Sequence, residues 1–128
     1  MQLESTKELA KLISEFYNST SGLILVALST PDGFPIQQAS DSFEGVPDKI
    51  AAMTSTLSSV SNAIAEEIIA APFTLSWIET DDGDCVCVYT KYQKQNAVLT
   101  VAAKRNVTLG VLRVRIKRLA EKIALLKV

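Results

Sequence analysis

Leu23-Ile24-Leu25-Val26-Ala27-Leu28 is an apolar run with no polar residue at either parity. Successive side chains of a strand point to opposite faces, so a strand of this kind is buried on both sides. Cys85-Val86-Cys87-Val88 repeats the pattern. A sheet built from such strands needs helices on both faces, and the rest of the chain offers three.

The first helix is expected to start at a Ser5 or Thr6 cap, with Glu8 placed for a capping box. Leu9, Leu12, Ile13 and Phe16 form its apolar stripe, and Asn18 to Gly22 ends it. After the apolar strand, Pro31-Asp32-Gly33 reads as a tight turn. Pro35 to Ala39 returns as a strand that Pro35 assigns to an edge or to its own start. Ser40 to Val46 is a polar loop. Pro47 and Asp48 then suit the first turn of a long helix running to about Ile69. Its seam of Ile50, Met53, Leu57, Val60, Ile64 and Ile68 is expected to face the sheet. Strands follow at Phe73–Glu79, Cys85–Tyr89 and Ala97–Ala103. The Asp81-Asp82-Gly83-Asp84 hairpin separates the first two, and a polar loop from Lys91 to Asn96 the last two. Thr108 caps a final helix to about Leu126, with Leu109, Leu112, Ile116, Leu119, Ile123 and Leu126 facing inward. Residues 1–128 thus read as one domain of the α/β class. The expected fold is an α/β/α sandwich, a five-stranded, mostly antiparallel sheet with three helices in the order αββαβββα.

The missing chemistry is informative. The chain has no histidine, so the commonest general base and metal ligand is absent. Cys85 and Cys87 share a strand face and read as buried thiols, with no neighbouring pair to complete a zinc site. Asp81, Asp82 and Asp84 lack calcium-loop spacing, and no phosphate-binding Gly-Lys-Ser/Thr loop occurs. We therefore expect no catalytic residue, cofactor or metal, and a non-enzyme. Trp77, Tyr89 and Tyr92 fit core or interface packing better than a nucleic-acid stacking platform. No signal peptide is visible, and no apolar stretch approaches the roughly 20 residues that span a bilayer. A cytoplasmic protein without membrane insertion is the expectation.

Net charge is −1, but it is unevenly spread. Residues 1–84 hold thirteen acids and three lysines, about −10; residues 85–128 hold ten bases and one acid, about +9. Either the fold interleaves the two or the surface is dipolar and steers a charged partner. The chain lacks the overall basic excess of a dedicated nucleic-acid binder.

From Ile50 to Ala65 sixteen residues pass without a charge, although a helix facing water normally carries Lys, Glu or Arg on its outer side. Opposite the seam lie Ala52, Ser55, Ser59, Asn62 and Ala63, all small or weakly polar. Two readings fit, an exposed Ser-rich face and a face buried by a second subunit or a partner. Depletion of charge at interface cores favours the second.

Three segments carry a family resemblance. The run Leu23 to Ile36 resembles the strand, Asp-Gly turn and strand of Roadblock (dynein light-chain-like) domains, of the bacterial single-domain type. Ala51-Ala52-Met53 is similar to that family's Ala-rich second helix, and Asn106 to Arg113 to its Leu-Gly start of the last helix. The element order matches over nearly the whole chain. The resemblance implies a Roadblock/profilin-like fold and a dimer, either of two copies or with a paralogue. Third strands pair into one sheet and second helices lie side by side, which adds Leu75 and Trp77 to the interface residues Ala52, Ser55, Ser59, Asn62 and Ala63. It implies a scaffold for a Ras-like small GTPase, or alternatively a structural adaptor without one. Some members stimulate hydrolysis without giving a catalytic residue. The chain shows no extension of the kind some polarity-regulating members carry, so the resemblance points to GTPase binding before direct activation.

Overall fold

Two glycines frame the first strand. Gly22, with φ +94°, releases the chain from the first helix, and Gly33, with φ +98°, turns it back. Only glycine adopts such angles without strain. In the computed structural model, which describes residues 2–41 and 45–126, the elements are α1 (Gln2–Ser19), β1 (Leu23–Ser29), β2 (Pro35–Ala39), α2 (Pro47–Ile69), β3 (Ser76–Glu79), β4 (Gly83–Tyr92), β5 (Gln95–Lys104) and α3 (Leu109–Ala124). The sheet order is β2-β1-β5-β4-β3 and every pairing is antiparallel. The polar loop expected over 40–46 includes 42–44, which lie outside the described residues.

One sheet face carries the main core. Leu9 and Ile13 of α1, and Leu112, Ile116, Leu119 and Ile123 of α3, are buried on Val26, Leu28, Val86, Val88, Leu99 and Val101. The apolar stripes of both helices therefore face inward as their spacing implies. Thr108 caps α3, its hydroxyl accepting from the Val111 amide at 3.3 Å. Ser5 and Thr6, by contrast, lie inside α1. The expected cap is displaced because the helix runs on to Gln2.

Among the described residues, α2 is the helix that covers the opposite face. Ala51, Ser55 and Ser58 are its buried residues, so this helix lies against the sheet through its small side chains. The β4–β5 hairpin is longer and tighter than expected. Gln93 (φ +53°) and Lys94 (φ +65°) make a two-residue turn, and the predicted polar loop is mostly strand. β3 is shorter than expected, because the Phe73 amide donates to Asn62 Oδ1 at 3.1 Å before the ladder begins.

A Cβ on Gly33 would meet the Ser55 hydroxyl at 3.4 Å and the Ala52 Cα at 3.5 Å, at a backbone angle that already disfavours one. Gly33→Val is expected to destabilise the protein by at least about 1 kcal/mol. An unchanged thermal midpoint would contradict this account of the turn.

Candidate interaction face

The apolar seam of α2 is turned off the sheet toward its open flank, where Ile50 and Leu57 stay half-buried. Met53 (51%), Val60 (51%), Ile64 (53%) and Ile68 (76%) are exposed, and the expected packing of this seam on the sheet is corrected. Periodicity assigns residues to one side of a helix, but here a neighbouring side made of the small residues Ala51, Ser55 and Ser58 packs on the sheet. Cys87 and Thr100 pair on that same side of the sheet, Sγ to Oγ1 at 3.3 Å.

The residues expected on the interface divide accordingly. Ser55 is buried beneath the helix and donates to the Ala52 carbonyl, so it is removed from any outward face. Asn62 is half-buried and holds the Phe73 amide. Ala52, Ser59 and Ala63 are exposed. Leu75 packs against the main core. Trp77 is nearly half exposed on β3. The spacing of the seam residues carried the signal for the apolar face, but its assignment to the sheet hid them.

Beside α2 the sheet is open. Ile24, Met53, Leu57, Ile78, Cys85 and Ala102 are among the residues lining an apolar cavity of about 330 Å³ between the helix flank and the strands. β3 closes one side of this region and is itself an edge strand, paired among the described strands with β4. Its outer backbone groups are unpaired within the sheet, the usual template for adding a strand. Ile78, opposite Cys85, lies on the α2 side, and Trp77, opposite Val86, on the α1/α3 side, since directly paired residues share a face.

The two thiols are free. Its hydrogen bond to Cys87 and then burial push the Cys85 thiol up, so it stays protonated. Among the described residues no group of three His, Cys, Asp or Glu side chains could hold a metal. Tyr92 is buried while Tyr89 stacks edge-on against Phe73 at 4.8 Å, so Trp77, Tyr89 and Tyr92 do not form one platform. No helix among the described residues is long and apolar enough to cross a membrane.

Solved structures share this architecture. Myxococcus xanthus MglB superposes with TM-score 0.80 at 17% identity, covering 93% of this chain and 86% of that one. A Roadblock/LC7 domain from Streptomyces avermitilis gives 0.77 at 18%, covering 89% and 92%. Acanthamoeba castellanii profilin II gives 0.63 at 13%, covering 91% and 96%. At such identities the likeness shows the fold. A search of curated protein sequences returned no significant match. The sequence matches the family described as Roadblock/LC7 domain across residues 9–103, from the middle of α1 to the end of β5, and the chain belongs to that family.

Proposed function

We propose that the protein is a dimeric platform, of two copies or with a paralogue, that binds a Ras-like small GTPase without supplying a catalytic residue. The observation that carries this reading is the uncovered α2 seam beside the open β3 edge. Exposed apolar residues grouped in this way mark interaction sites. Antiparallel pairing of two β3 edges would extend the sheet, and the partner's α2 would fill the cavity beside Met53 and Leu57. Ala52, Ser59 and Ala63 would flank that contact, with Trp77 at the strand seam. Self-association also occurs on this fold: one MglB structure is described as having a tetrameric arrangement. Family membership supports a GTPase as the partner.

The test is capture from the native cytosol on the immobilised protein, read by mass spectrometry, with bound nucleotide exchanged between a non-hydrolysable GTP analogue and GDP. Preferential retention of a Ras-like GTPase in the GTP form is expected. Partners without any GTPase would leave a structural adaptor instead. Where hydrolysis is stimulated, ordering of the partner's switch region is expected, not an inserted arginine. Arg113, Arg115 and Arg118 lie on α3, on the sheet face away from α2, and Arg105 is committed to the β3–β4 turn. An arginine finger is worth about 10³–10⁵ in rate. Each Arg→Ala change at these four positions should leave most of the stimulation in place, and a loss confined to one that still binds would restore the finger.

A further inference from the structure

The structure separates the charge asymmetry between α3 and α2, which lie on opposite faces of the sheet. α3 carries Arg113, Arg115, Lys117, Arg118 and Lys122 against Glu121, a net of +4. α2 carries Asp48, Glu66 and Glu67 against Lys49, a net of −2. Interleaving does not cancel the basic side. The ion pairs among the described residues are Lys11–Glu15 and those of Arg105, so none of the α3 cations is neutralised there. Among these cations Val111, Val114 and Leu125 are exposed apolar side chains, with Arg118 and Glu121 interleaved along the same outer ridge of α3. Trp77, the one tryptophan of the chain, is exposed on the same side of the sheet. Next to the ridge, a cleft of about 330 Å³ between α1 and α3 is rimmed by Arg115, Arg118 and Lys122, with Glu15 beside them and Phe16 and Leu119 among its apolar lining.

We propose that the α3 face docks on the surface of an anionic phospholipid bilayer. Cations flanking exposed aliphatic and aromatic side chains are the composition that sits at a headgroup boundary. Phosphate groups would meet Arg118 and Lys122, beside Arg115, whose guanidinium donates to Ser19 Oγ at 2.6 Å and lies over the Phe16 ring, while Val111, Val114 and Leu125 reach the upper acyl region. A nucleic acid would use the cations and leave this apolar ridge in water. Doubling of the face rests on the proposed dimer. Antiparallel edge pairing has its two-fold axis normal to the sheet, so both α3 helices emerge on one side. Because α3 lies chiefly on β4, next to the β3 edge, the two basic ridges would be neighbours. The α2 face would then point away from the bilayer.

The experiment is flotation of the full chain with vesicles of equimolar phosphatidylglycerol and phosphatidylcholine, and with phosphatidylcholine alone. Binding to the anionic vesicles only, released by raised salt, is expected. The pair Lys117→Glu with Arg118→Glu should lower the bound fraction about tenfold. Val114→Ser, which changes no charge, should lower it about threefold. Brominated acyl chains should quench Trp77 fluorescence. Absence of binding to anionic vesicles, equal binding to neutral ones, or indifference to Val114→Ser with equally strong binding to duplex DNA would overturn the proposal. Sedimentation without vesicles reads the dimer separately. A monomer that still floats on anionic vesicles would sustain the docking face while removing the doubling.

Discussion

A Met53→Arg chain is expected to sediment as a monomer at micromolar concentration, where the unaltered chain is expected to sediment as the proposed dimer, and Ile64→Arg is expected to do the same. Both side chains are about half exposed in the isolated subunit. An arginine there meets water, so the far-UV circular dichroism should stay native. In the dimer the guanidinium would be trapped in a dry interface. An unpaired buried charge costs roughly 3–5 kcal/mol, more than about 100-fold in dissociation constant. The same change at the buried Ser55 would damage the fold itself, which is why that position is unsuitable. Unchanged sedimentation of both arginine variants would remove the α2 seam from the interface.

Gly83→Val should have the largest effect on stability. Gly83 pairs with Lys104 at the start of β4, and a Cβ built on it lies 2.3 Å from the Ala103 carbonyl oxygen. A backbone oxygen in a sheet ladder cannot swing away as a side chain can. The β4–β5 ladder must part locally, at more than about 3 kcal/mol. Gly110 is the contrast. Nothing lies within 4 Å of a Cβ there, and it sits in the first turn of α3, so Gly110→Ala should gain up to about 1 kcal/mol. Urea unfolding of the two variants decides the matter. Equal midpoints would mean that the close approach at Gly83 relaxes at little cost.

The fold was legible where burial and periodicity agree. Leu9, Ile13, Leu112 and Ile116 are apolar on one side and polar on the other, and a single partner surface explains each. The two-sided strands called for helices on both faces, and β2 occupies an edge as Pro35 implied. α2 broke the rule because almost its whole circumference lacks charge. Ala51 and Ser58 on one side and Met53 and Ile64 on the other are both credible inner faces. The choice between them depends on what covers the outer one, which one chain does not encode. The Gln93-Lys94 turn was hidden for a different reason. Two left-handed residues usually announce themselves with Asn or Gly, and here ladder pairing along β4 and β5 holds them in that conformation. The early end of β3 followed from Asn62 capturing the Phe73 amide, a contact between residues on separate elements that local pattern does not reveal.

Arg105 has a consequence for how the edge strand behaves in time. From the connection between β5 and α3 it reaches the Thr80 and Asp81 carbonyls, Glu79 at 3.5 Å and the buried Asp84 at 3.8 Å. One side chain thus ties the β3–β4 turn to the central strand. β3 spans only four residues and has a single neighbour, so it is a small cooperative unit able to open while the rest of the sheet stays closed. The fraction of time it is closed sets the fraction of chains competent to pair through that edge, and apparent affinity falls in the same proportion. Arg105 lies outside the proposed contact surface, yet in the proposed dimer it would tune association by setting how often that surface exists.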